Sequence, residues 1–315
     1  MDVASDDINS RSAGLIENDA LLKKRALIIG LGSFGSNIAV ELAKAAVGSF
    51  ALMDFDRLER HNVVRHACYL QDVGRLKTDA VADLVLGKNP YATVDKFPVN
   101  MNDKLDLLVS EIDRADIVIC ATDNNQSRFN LSRILVDHPK VCLFGRAVTR
   151  AEGGDVFRQR PGGPCYCCLV GNKWFDQASE EITSEASARA SGRIAAYVSH
   201  EDADAMVQVG LASDIEPITN MMVKLALVEL ARGTNSGISA LEDELTFDYY
   251  MWANRRERRH RNWSPFPNGG NRPTILRWYG ANIEKAVDCA LCGTAGIALD
   301  DGADIEAQLS ELDCE

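Results

Sequence analysis

The chain has 315 residues, 46% hydrophobic and 25% charged, with 34 Lys and Arg against 46 Asp and Glu for a net charge of −12. This is ordinary globular composition with room for one large or two modest domains, and the acidic surplus is the reverse of what a duplex-binding protein carries, so nucleic acid is not an expected partner. No apolar run reaches the roughly 18 residues of a membrane span, and the acidic start "MDVASDDINSRSAG" lacks the basic and apolar regions of a secretory signal. The expected location is therefore the cytoplasm, with no membrane partner, and there the nine cysteines stay reduced and their spacing carries the information.

Residues 1–24 read as an N-terminal arm with a short helical stretch near Leu15–Lys24. "ALIIG" (Ala26–Gly30) is a buried strand, and "SFGSNIAVELAKAAVG" has apolar residues at helical spacing and stops at Gly48. "SFALMDFD" is a second strand, "GRLKTDAVADLVLGKNP" a second helix, and "ADIVICATDN" and "KVCLFGRAV" two further strands. Strands alternating with helices predict an α/β, doubly wound, Rossmann-like fold: a mainly parallel sheet with helices on both faces. These elements fill a nucleotide-binding half over 25–150. From about Glu152 the pattern loosens into a second half over 151–300, with a polar helical stretch at Ser179–Met206 and a strong helix from Pro217 to Arg232. That last helix is apolar on more than one face, which suits burial or a dimer interface. "LTFDYYMWANRR" then alternates like a strand and enters the basic run Asn254–Arg261, a solvated strand end or a dock for an acidic partner. An acidic tail over 301–315 closes the chain.

Gly30, Gly32 and Gly35 spell G-x-G-x-x-G between a strand and a helix, where glycines permit close approach of a phosphate to the helix N-terminus. Asp54 ends the next strand, where an acid accepts hydrogen bonds from ribose hydroxyls. This combination points to a nucleotide without separating NAD from ATP. The stretch "DFDRLERHNVVRH" adds Asp56, Asn62 and Arg65; Lys77 follows at a helix start, and Asp123 and Asn124 at a strand end. In a doubly wound sheet these positions open onto one crevice. Hydride transfer does not need such a set, whereas chemistry on a triphosphate does: cations neutralise charge on the phosphates, and an aspartate can hold Mg²⁺. Each residue also has a plainer reading, Asn62 as a turn cap, Lys77 as a solvated helix residue and Asp123 as an ordinary strand-end turn.

Cys165 and Cys168 form one C-x-x-C, and Cys289 and Cys292 another. Four thiolates suit a tetrahedral structural zinc, with a redox pair as the alternative. Cys167 reads as a bystander that could replace Cys168. Cys68, Cys120 and Cys142 lie in or beside apolar segments and read as core.

Taken together, "GLGSFGSNIAVELAKAAVGSFALMDFDRLERHNVVRH", "DVGRLKTDAV" and "ATDNNQSR" resemble the ThiF family, closely over about 25–170 and loosely over 205–292. That family holds the thiamine- and molybdopterin-pathway adenylyltransferases and the adenylation domains of ubiquitin-activating enzymes. Its signature is D-x-D-x-V-x-x-x-N-x-x-R-Q, then G-x-x-K and D-N-x-x-x-R; here Leu58 replaces the valine and His66 the glutamine. The Arg65–His66 pair resembles bacterial members that work with ubiquitin-like proteins. The resemblance implies that Asp54 binds the ribose, that Asn62, Arg65 and Lys77 contact the phosphates, and that Asp123 holds Mg²⁺. It implies the zinc site, a homodimer, and an arginine supplied by the partner subunit's N-terminal arm, for which Arg11 is the candidate. The implied reaction is ATP-dependent adenylation of the C-terminal carboxylate of a small ubiquitin-like or sulfur-carrier protein, or of a peptide. Relatives that pass the acyl group to a thiol place a cysteine between the first zinc pair and the late helix, and no cysteine occurs between Cys168 and Cys289. Cys314 in the tail reads as an incidental thiol, conceivable as a substitute. The competing expectations are a non-catalytic scaffold subunit, disfavoured by the presence of Arg65, Lys77 and Asp123, and an NAD-dependent oxidoreductase.

Overall fold

The computed structural model describes residues 8–9, 12, 15, 18–148, 151–171, 210–234, 239–256 and 274–293. The predicted Ser179–Met206 helix, Arg11, residues 257–261 of the basic run and the acidic tail with Cys314 lie outside the described residues.

One eight-stranded sheet runs in the order β3-β2-β1-β4-β5-β6-β7-β8. The strands are β1 (Arg25–Ile29), β2 (Ser49–Met53), β3 (Thr93–Phe97), β4 (Ile117–Cys120), β5 (Cys142–Ala147), β6 (Gly153–Gln159), β7 (Tyr249–Ala253) and β8 (Arg277–Ala281). The first five pair in parallel and the last three extend the sheet antiparallel. The strand order reverses between β1 and β4, which places a crevice beyond their carboxyl ends. Register sets what lines it: Ile29 lies beside both Met53 and Cys120, so Gly30, Asp54 and Ala121 leave the sheet at one level.

Alternate residues of the strands feed two cores. On one face Ile28, Leu52 and Ile119 pack beneath α1 (Ser33–Lys44), α2 (Lys77–Lys88) and, further along the sheet, α6 (Ala212–Ala231). On the other, Ile29, Met53 and Cys120 pack beneath α3 (Leu105–Arg114), α4 (Asn125–Asp137) and α5 (Tyr166–Val170). Ile38, Ala39, Leu42 and Ala43 form the buried stripe of α1, the spacing of one helical face.

The structure departs from expectation at β6. Where the sequence pattern loosens, all seven residues of this strand are buried. Its polar members survive burial because each has a partner: Asp155 pairs with Arg146 at 2.7 Å, Arg158 with Glu229 at 3.0 Å, and Gln159 accepts from Ser132 at 2.7 Å. Helix α6 also begins five residues before Pro217, which sits within the second turn rather than at the start. No helix among the described residues is long and apolar enough to cross a membrane.

Candidate active site

Beyond the carboxyl ends of β1, β2 and β4 lies a cavity of about 520 Å³, the size of a small-ligand site. Its walls include Gly30, Gly32, Asp54, Asp56, Asn62, Arg65, Lys77, Asp123 and Asn124. The structure thus brings these sequence-predicted residues together from four separate segments.

Gly35 does not line the cavity, and its surroundings are those of a packing position. A Cβ there would fall inside the van der Waals shell of the Gly30 carbonyl and 3.3 Å from the Ala121 Cβ, so glycine lets α1 sit down on the loop. Gly30 adopts φ +83°, a left-handed conformation that favours glycine. At Gly32 a Cβ would meet nothing within 4 Å. No side chain caps α1 there, so the free N–H groups of its first turn are available to an anion.

Asp54 is buried and accepts from the Leu31 N–H at 2.6 Å and the Asp56 N–H at 2.8 Å. Burial raises its pKa above the ordinary carboxylate value, against the opposing pull of Lys77 and those two N–H donors. Lys77 opens α2, with its Nζ 2.8 Å from the Asp56 Oδ2. A short antiparallel clasp holds the pair together: the Lys77 N–H donates to the Asp56 carbonyl at 3.0 Å, and the Leu58 N–H to the Arg75 carbonyl at 2.8 Å.

Arg65 is placed by its neighbours. The Asn37 amide donates to the Arg65 carbonyl at 3.3 Å, and the Ala67 N–H donates to the Ser36 Oγ at 3.2 Å. Between them His66 bridges to the glycine loop, its Nε2 2.6 Å from the Leu31 carbonyl while its Nδ1 accepts from the Cys68 N–H at 3.1 Å. Those partners fix the neutral Nε2–H tautomer, and burial lowers the His66 pKa to about 4. A glutamine amide likewise presents an NH₂ donor group and a carbonyl acceptor, and so suits the same two partners.

Asn62 does cap a turn, accepting from the Glu59 N–H at 3.0 Å, and it lines the cavity as well. Asn124 caps α4 through the Ser127 N–H at 2.8 Å. Asp123 is exposed to the cavity and makes no ion pair or hydrogen bond among the described residues, leaving its carboxylate available to a cation. Sequence reasoning did not assign Asn100, Asn102 or Arg128, which also line the cavity. Arg128 was readable as the last position of D-N-x-x-x-R; the two asparagines follow β3, a strand that the sequence reading did not identify.

On the α5 side of the sheet, the Sγ atoms of Cys165, Cys168, Cys289 and Cys292 lie within 4.8 Å of one another. Three of the separations are 3.8, 3.5 and 3.4 Å, close to the roughly 3.8 Å edge of a tetrahedron with 2.3 Å zinc–sulfur bonds. The donor set fits a metal ion. Cys167 stands outside this set and is buried in the core, as are Cys68, Cys120 and Cys142.

A model of the ThiF family matches residues 5–248. The chain belongs to the ThiF family. It is 35% identical over 153 residues to the molybdopterin-synthase adenylyltransferase of Salmonella typhimurium, covering 48% of this chain and 60% of that protein. It is 31% identical over 164 residues to the SAMP-activating enzyme E1 of Haloferax volcanii, covering 52% and 57%. The chain therefore spans less than two thirds of these relatives' own length. E. coli MccB, solved with ATP, shares the fold at a TM-score of 0.58 and 18% identity over 88% of this chain and 68% of that one. MccB solved with N-formylated MccA gives a TM-score of 0.61 at 17% identity, covering 88% and 69%.

Proposed function

We propose that this ThiF-family chain is an ATP-dependent adenylyltransferase that activates the C-terminal carboxylate of a small ubiquitin-like or sulfur-carrier protein. The observation that carries the reading is the convergence of Asp54, Arg65, Lys77 and Asp123 on one cavity at the point where the strand order reverses. Neither a scaffold subunit nor an oxidoreductase accounts for that set. In the reaction a carboxylate oxygen attacks the α-phosphorus of ATP, the bond to the β-phosphate bridge breaks, and an acyl-adenylate and pyrophosphate result. Asp54 orients the ribose, the α1 N-terminus and Asn62 hold the phosphates, Arg65 and Lys77 offset the charge of the departing pyrophosphate, and Asp123 holds Mg²⁺.

The four-cysteine cluster holds zinc as a structural site. The chain divides into an arm over 1–24, a nucleotide-binding half over 25–150, a second half over 151–300 and a tail, and works as a cytoplasmic homodimer in which Arg11 reaches the partner's site. A peptide substrate is the second reading. It is favoured by the absence of any cysteine between Cys168 and Cys289 and by the likeness in fold to MccB.

The test is a thermal-shift titration with MgATP, ATP plus chelator, and NAD, on wild type and Asp123→Ala. Stabilisation by ATP that requires Mg²⁺ and weakens at least tenfold in apparent affinity in the variant is expected (about 1.4 kcal/mol or more). Stabilisation by NAD alone, unchanged in the variant, would replace the reading with the oxidoreductase.

A further inference from the structure

The four-cysteine cluster and the nucleotide cavity sit on different elements, yet one chain of hydrogen bonds joins them. Tyr166 lies between Cys165 and Cys168 and is 1% exposed. Its ring is held by Phe129 and Phe144, at centroid distances of 5.3 and 5.1 Å, and its backbone N–H donates to the Ser132 Oγ at 3.0 Å. Its hydroxyl donates to the Asn125 Oδ1 at 3.1 Å, in the first turn of α4. The same oxygen accepts from the Arg128 Nη1 at 2.9 Å, and the Arg128 Nη2 donates to the Thr122 carbonyl at 2.8 Å. Thr122 immediately precedes Asp123. Arg128 is only 2% exposed, and its bonds to Asn125 and Thr122 lie part-buried at the wall of the cavity.

We infer that Tyr166 is a positioning residue: its hydroxyl, through Asn125 and Arg128, anchors the Asp123 loop to the cysteine cluster. This rests on the reading of Asp123 given above. The cluster fixes both ends of the "CYCC" turn, the turn fixes the Tyr166 ring, and the phenol orients the Asn125 amide. That amide in turn holds the Arg128 guanidinium against the loop carbonyl. The ring packs against Phe129 on α4 and Phe144 on β5 without the hydroxyl, so the bond to Asn125 is an additional tie to the first turn of α4. The device makes the metal-binding half of the chain a support for the carboxylate that faces the nucleotide, beyond its service to stability.

The test uses the full-length, metal-replete chain and amide hydrogen exchange over residues 121–128. Tyr166→Phe keeps the ring and removes one hydroxyl, so about three- to tenfold faster exchange of this segment is expected, the range of one net hydrogen bond. MgATP affinity should fall by a similar factor. The double variant Tyr166→Phe/Asn125→Ala should be no worse than Asn125→Ala alone, because both remove the same link. Phe144→Leu loosens the packing of the ring without touching the hydroxyl; a purely structural role predicts that it accelerates the segment as much as Tyr166→Phe does. Equal acceleration in those two variants, or unchanged exchange in Tyr166→Phe, would overturn the inference. Should wild type fail to bind MgATP, the adenylation reading falls while the exchange data still decide the coupling.

Discussion

Two glycines three residues apart, one the N-cap of α1 and the other in its first turn, should fail in opposite ways. At Gly35 an alanine Cβ would press on the Gly30 carbonyl, and backbone cannot swing aside as a side chain would. Gly30 is itself tied down, its N–H donating to the Met53 carbonyl at 2.9 Å. Helix α1 must therefore retreat from the sheet. Overpacking of this kind costs up to about 3 kcal/mol, and better helix propensity returns about 1, for a net loss near 2 kcal/mol. That corresponds to a drop in Tm of roughly 4–8 °C. At Gly32 the added methyl meets nothing within 4 Å and projects where the chain lines the cavity. A poorer N-cap costs about 0.5–1 kcal/mol, and the stiffer unfolded chain offsets a similar amount, so Tm should barely move. The methyl instead occupies the space a phosphate needs beside the α1 N-terminus, and MgATP affinity should fall at least tenfold (about 1.4 kcal/mol). Scanning calorimetry of the two variants, followed by MgATP titration calorimetry, separates the effects. If Gly32→Ala keeps its nucleotide affinity, or loses more stability than Gly35→Ala, the assignment of one glycine to phosphate approach and the other to packing is wrong.

The remaining predictions concern His66 and the cysteine cluster. The folded-state pKa of His66, about 4, lies below the ordinary value of 6.5. The unfolded chain therefore takes up the extra proton first, and stability is fully present above about pH 6.5 and lost as pH falls through about 4. The difference is worth about 3 kcal/mol in all, roughly 2 of it gone by pH 5. His66→Gln, whose amide can make both bonds without titrating, should show a smaller fall in Tm between pH 7 and pH 5, and an identical fall in the two proteins would count against the buried neutral imidazole. For the cluster, Cys289→Ser removes one of four thiolates, so bound zinc measured by elemental analysis should fall from about one per chain toward zero, with a Tm loss of several degrees. Full zinc retention in that variant would mean that Cys289 is not a ligand.

How much of this could be read beforehand depended on how each residue hides its burial. Strands β1, β2, β4 and β5 are mostly apolar runs in the parallel part of the sheet, covered on both faces, and such runs announce themselves. Strand β3, "TVDKF", is an edge strand with no fully buried residue and two charges, so nothing in its composition sets it apart from a loop. Strand β6 is the sharper lesson. Its Asp155, Arg158 and Gln159 look like surface residues, and partners that include Arg146, Glu229 and Ser132 make burial possible. Arg146 is nine positions from Asp155 on the neighbouring strand, but Ser132 lies on α4, 27 positions from Gln159, and Glu229 sits 71 positions beyond Arg158, and pattern reading has no access to such distances. The site was more legible than the fold around it because its chemistry requires particular side chains at fixed spacings, and Asp54, Asn62, Arg65, Lys77 and Asp123 do line one cavity. Spacing alone assigns a residue to a loop, however, and cannot say which atom of the loop serves. Gly35 belongs to the glycine motif and yet faces the protein, while Asn100 and Asn102 belong to no motif and face the cavity. The same limit explains Tyr166: nothing in "CYCC" tells that its hydroxyl ends on α4, because that contact exists only once two helices, 41 positions apart at their point of meeting, have packed against the same strands.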